Sequence, residues 1–111
     1  MVAGDVPADV VHRTDRVLAF RDINPQAPTH VLVIPQDHHA TAAALAAADP
    51  QLLAEVVATA HAVALQEGLV TEDGDEPGYR LVTNTGPAAG QSVEHVHLHL
   101  LGGRGLGWPP G

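Results

Sequence analysis

Apolar residues along this chain recur at two different periods, and the change from one to the other marks out its elements. In the N-terminal third they come in short runs: Val10-Val11 and residues 17–21 are β-rich stretches separated by Thr14-Asp15, which reads as a hairpin. The segment Asn24-Pro25-Gln26-Ala27-Pro28 then forces a turn, because each proline fixes its own φ and pushes the preceding residue out of the helical region. Residues 30–34 follow as a third strand that Pro35 ends. Beyond them the period lengthens. Leu52, Leu53, Val56, Val57, Ala60, Val63 and Ala64 recur at three- and four-residue spacing, with Asp49-Pro50 as the helix start and Gly68 as its stop. A shorter Ala-rich helix over 41–48 leads into it. Residues 71–78 read as an acidic surface loop, 79–84 as a fourth strand, 86–90 as a loop and 94–101 as a fifth strand. The order predicts one α+β domain over residues 1–111, an antiparallel sheet of about five strands with the helices on one face.

Composition changes this picture by exclusion. The 111 residues contain no cysteine, so there is neither a disulfide framework nor a thiolate metal site. Five basic residues, all arginine, stand against 13 acidic ones, a net charge of −8. Binding to nucleic-acid polymers rests on phosphate neutralisation, and membrane-surface helices on a basic face; this balance argues against both. With no apolar run of about 18 residues and no secretory pattern, a cytoplasmic location is expected. Against that background eight histidines outnumber the arginines.

Three of those histidines form the most informative segment, His95-Val96-His97-Leu98-His99-Leu100-Leu101. In a strand alternate side chains share a face, so the three imidazoles lie together and Val96, Leu98 and Leu100 supply core. Neighbouring imidazoles at a repeat of about 6.7 Å can share a zinc ion, but the outer pair, about 13 Å apart, cannot converge on one, which leaves a spare histidine on that reading. Nucleophilic catalysis is the other reading: a largely neutral imidazole at pH 7 can attack phosphorus or carbonyl carbon, with its neighbours as positioned hydrogen-bonding groups.

The segment matches the signature of the histidine triad superfamily at all seven positions, preceded by Gly90-Gln91-Ser92-Val93. Residues 22–30, Leu32-Val33-Ile34-Pro35 and the tail Gly102-Gly103-Arg104 through Trp108-Pro109-Pro110-Gly111 resemble the Hint branch, the purine nucleoside phosphoramidases. The resemblance implies a homodimer whose sheets continue across the interface, and hydrolysis of the P–N bond of AMP- or GMP-amine conjugates. It implies that His97 is the nucleophile, that His95, His99 and His30 support it, and that Ser92 donates a proton to the leaving amine. Asn84, Gly90, Gln91, Ser92 and Val93 would hold the phosphate, Asp22 the ribose, and Phe20, Ile23 and Leu32 the base. In the family the tail carrying Trp108 reaches the partner subunit's site. Some relatives bind zinc through a Cys-x-x-Cys segment that this chain lacks, so no metal or other cofactor is expected. The rivals to the enzyme are a nucleotide-binding regulatory or scaffold dimer and a histidine-strand metal protein. His12, His38 and His39 carry no chemistry on this reading, and His61 is an incidental residue of the helix surface.

Overall fold

The computed structural model describes residues 9–74 and 76–111. Strands β1 (Val10–Arg13), β2 (Val17–Arg21) and β3 (Thr29–Pro35) lead into helices α1 (Ala42–Ala48) and α2 (Pro50–Gln66). Strand β4 (Tyr79–Val82), a single 3-10 turn at Pro87–Ala89 and strand β5 (Leu98–Gly102) complete the chain. Neighbouring strands run antiparallel in the order β1-β2-β3-β5-β4, which puts β4 at one edge.

Each helix starts on the residue its sequence offers. The Thr41 side chain accepts a hydrogen bond from Ala44 N–H, and the Asp49 side chain accepts one from Leu52 N–H just before Pro50. Asp49 also pairs with Arg16, and the two partnerships hold its carboxyl below the usual carboxylate range, with the Leu52 amide the larger cause. Gly68, at φ +76°, stands just beyond the C-cap of α2 and turns the chain away, in a conformation that costs glycine little.

The helices cover one face of the sheet. Leu52, Val56, Ala60, Val63 and Ala64 of α2 and Leu45 of α1 pack on Val17 and Ala19 of β2, Val31 and Val33 of β3, and Leu98 and Leu100 of β5. Val57, expected in the core or at a dimer interface, is 42% exposed and so outside the core of this chain, while Thr59 occupies the buried face. Helical neighbours stand about 100° apart, so Val56 and Val57 cannot both face the sheet. Leu69 and Val70, after the helix, are buried core residues that the periodicity does not reveal.

By the same alternation, Phe20, His30, Leu32, Ile34 and His99 point to the opposite face. The register places Phe20, Leu32 and His99 side by side across β2, β3 and β5. One expected strand is shorter than its pattern. β5 begins at Leu98, so His95 and His97 precede it, although Val96, Leu98 and Leu100 are buried in alternation as anticipated. The β3–β5 ladder stops at Val33 and Leu98, two residues before Pro35, which has no N–H to extend it. Val96 N–H bonds instead to His39 O at 2.7 Å. Likewise β4 stops at Val82, short of Asn84.

Candidate active site

A cleft of about 410 Å³ opens on the face away from the helices. Phe20, Leu32 and Ile34 of the sheet give it an apolar floor, and Asp22, Ile23, Ser92, Val93, His95, His97 and His99 complete its lining. Nine of the residues read from the sequence therefore converge, joined by Ile34, which alternation along β3 could have supplied. Ile23 is 81% exposed at the mouth, an apolar side chain with solvent on the side a ligand would cover.

Hydrogen-bond partners fix where the protons sit. His97 Nδ1 lies 3.0 Å from His95 O, and a carbonyl only accepts, so Nδ1 carries the proton and the neutral ring keeps its lone pair at Nε2. His30 stands behind His99. Its Nδ1 accepts from Gln26 N–H at 3.0 Å, so its proton is on Nε2, which donates to His99 Nδ1 at 2.9 Å. Neutral His99 must then carry its own proton on Nε2. A backbone amide thus sets the His30 and His99 tautomers in series and leaves His99 with a free N–H, beside the His97 ring whose lone pair the His95 carbonyl leaves free. The His97 and His99 rings meet edge to face, with centroids 5.0 Å apart.

Burial pushes the pKa of both His30 and His99 down. For His99 the nearby His97 and His30 act in the same direction, whereas Asp22 opposes the shift in both. The two rings are therefore neutral at pH 7 and the tautomer chain holds. Asp22 uses Oδ1 to accept from Asn24 N–H at 2.8 Å, closing the proline turn, while Oδ2 lies 3.5 Å from His30 Nε2. Its turn-forming role and its place in the cleft coexist.

Besides His30, which stands behind His99, four expected site residues do not line the cleft. Gln91 is tied into the scaffold: its Oε1 accepts from Gly86 N–H, and its Nε2 donates to Ala40 O and Val93 O. It shapes the loop that carries Ser92 and Val93. Gly90, at φ +93°, ends the short 3-10 turn of that loop. Asn84 does not line the cleft, and Trp108 is 83% exposed on the tail. Two histidines without expected roles do make contacts. His38 Nδ1 lies 3.2 Å from His95 Nδ1, and His61 Nδ1 lies 2.8 Å from Tyr79 Oη, joining α2 to β4. Neither contact was legible, because both cross between segments far apart in the chain.

Asp22, His30 and His99 offer ligand atoms within 4.8 Å of one another, which tests the cleft as a metal site. They do not fit one. The proton of His30 Nε2 is committed to His99 Nδ1, whereas ligating nitrogens need bare lone pairs and stand about 3.3 Å apart on tetrahedral zinc.

With this geometry in place, the HIT domain family model matches residues 3–106. The chain belongs to the HIT family. Its relatives are Hint-like, as the resemblance in the sequence implies. The HIT protein is 45% identical over 107 residues to the purine nucleoside phosphoramidase of Escherichia coli, covering 96% of this chain and 86% of that one. It is 46% identical over 113 residues to a 14 kDa zinc-binding protein of Zea mays, covering 100% and 84%. Among solved structures, a HIT family hydrolase from Legionella pneumophila superposes with a TM-score of 0.89 at 50% identity, covering 100% of this chain and 95% of that one. The α+β fold with a five-stranded antiparallel sheet and two helices is that of the family.

Proposed function

We propose that this HIT protein hydrolyses the P–N bond of purine nucleoside 5′-phosphoramidates. The observation that carries the reading is the His97 ring, whose Nδ1–H is bound to the His95 carbonyl and whose Nε2 lone pair is free beside the cleft. In the first step Nε2 attacks the α-phosphorus, the P–N bond breaks, and the amine departs with a proton that Ser92, a residue of the cleft lining, supplies. In the second, water attacks the phosphorus of the nucleotidyl-imidazole and gives a proton back to Ser92, the P–N bond to His97 breaks, and the nucleoside monophosphate leaves with both side chains restored. Two substitutions replace one difficult one. His99 Nε2–H hydrogen-bonds a phosphoryl oxygen as charge builds on it. Asp22 accepts from the ribose hydroxyls, and the base lies between Ile23 and the floor of Phe20 and Leu32. This division suits an acidic protein, since none of the groups assigned to the anion is a lysine or arginine. No metal enters these steps.

The reading includes a homodimer. On its outer side β4 pairs with no strand among the described residues, and an apolar edge strand invites a second copy. The exposed tail with Trp108 then has the partner's cleft to cover.

Turnover of an AMP-amine conjugate by the purified protein tests the reaction. His97→Ala is expected to lower kcat by roughly 10³-fold or more while AMP still binds. Well-folded wild type that binds AMP without turning over the conjugate would overturn the enzyme in favour of a nucleotide-binding protein.

A further inference from the structure

The nucleophile's segment is held from outside the sheet. Because β5 begins at Leu98, no ladder fixes the backbone from His95 to His97, and the turn after β3 does so instead. Val96 N–H donates to His39 O at 2.7 Å. His95 Nε2 donates to Pro35 O at 2.9 Å. His38 Nδ1 meets His95 Nδ1 at 3.2 Å, with the two rings tilted by 48° and their centroids 5.3 Å apart.

The protons can again be assigned. Pro35 O only accepts, so His95 Nε2 carries a proton and the neutral ring has its lone pair at Nδ1. His38 must then donate from Nδ1–H. An imidazole bonded at both nitrogens cannot turn without breaking one bond, whereas one bonded only through Nε2 can pivot. The backbone carbonyl of the same His95 accepts from His97 Nδ1 and sets the aim of Nε2. His38 itself is exposed and does not line the cleft, so it reaches the substrate only through His95.

We propose that His38 is a positioning residue for phosphoramidate hydrolysis: its Nδ1–H locks the His95 ring, and the locked residue presents the carbonyl that orients the nucleophile. This rests on the role given above to His97. The Pro35–His39 turn, with no residue that touches the reacting atoms, becomes the back support of the catalytic histidine.

The full chain carrying His38→Ala or His38→Asn tests it. His38→Ala is expected to lower kcat for an AMP-amine conjugate about tenfold, with KM and AMP affinity within about twofold of wild type. His38→Asn keeps an N–H able to donate to His95 Nδ1, and is expected to return kcat to within about threefold of wild type. In protein labelled with 15N-histidine, a nitrogen–nitrogen coupling across the His38–His95 hydrogen bond is expected in wild type and absent from His38→Ala. Unchanged kcat in His38→Ala overturns the proposal, as does a loss that extends to AMP binding and is not rescued by asparagine. The two readings fail differently: wild type without turnover removes the reaction and the role of His38 with it, whereas normal turnover in His38→Ala removes that role alone.

Discussion

The proton on His99 is placed by a backbone amide two rings away. Gln26 N–H occupies His30 Nδ1, His30 donates onward, and His99 is left with its N–H facing the cleft. Protonation of His99 would put a second proton on Nδ1 and break that order, so the lowered pKa values matter for both activity and stability. Unfolded histidine titrates near 6.5, while His30 and His99 in the fold take up their protons only at lower pH. Between those values the unfolded chain binds more protons, so stability is complete above about pH 6.5 and declines as pH falls through the window. Calorimetry from pH 7.5 to 5 is expected to show Tm falling below about pH 6.5, with a shallower fall in His99→Gln. A Tm that stays flat in wild type across that range would show that the buried rings are not neutral.

Elements here are positioned by their ends as much as by their interiors. Pro35 ends the ladder between β3 and β5 and so frees the segment that carries His97. At the other end of β5, Gly103 has φ +91°, and a Cβ there would come within 2.9 Å of Pro28 Cβ, part of a rigid ring. The contact couples the tail to the proline turn that holds Asp22, where Arg104 also donates to Gln26 O. Gly103→Ala is expected to cost roughly 1–3 kcal/mol, from the positive φ and the crowding together. Urea denaturation measures it, and a midpoint equal to that of wild type would show that the turn can move aside.

Over the whole molecule, charge and topology assign the two faces different work. The helices seal one face, and the cleft faces the other way. On the proposed reading, the net charge of −8 leaves recognition of a single phosphate to imidazole, hydroxyl and backbone donors rather than to a basic field. The open edge at β4 leads to the prediction made at this scale. Light scattering is expected to give a mass twice the 11.5 kDa of one chain. A monomer at micromolar concentration that still turns over substrate would separate the chemistry from the assembly.

The sequence by itself determined every element of the sheet and both helices, since period, proline and capping signals are local and survive without tertiary context. It also brought three members of the cleft together, because His95, His97 and His99 alternate with buried Val96, Leu98 and Leu100 in the pattern of one exposed face, whereas Phe20, Asp22, Ile23, Leu32, Ser92 and Val93 were implied only by the family resemblance. Only the tertiary structure decided how those side chains are oriented. The partners of His97, His30 and His95 are backbone groups or rings on other segments, and no periodicity encodes a contact across 57 or 69 residues, as between His38 and His95 or His30 and His99. For the same reason the bracing contacts of the Gln91 side chain to Gly86 and Ala40 were not legible: alternation says which way a side chain faces, and packing decides what it meets.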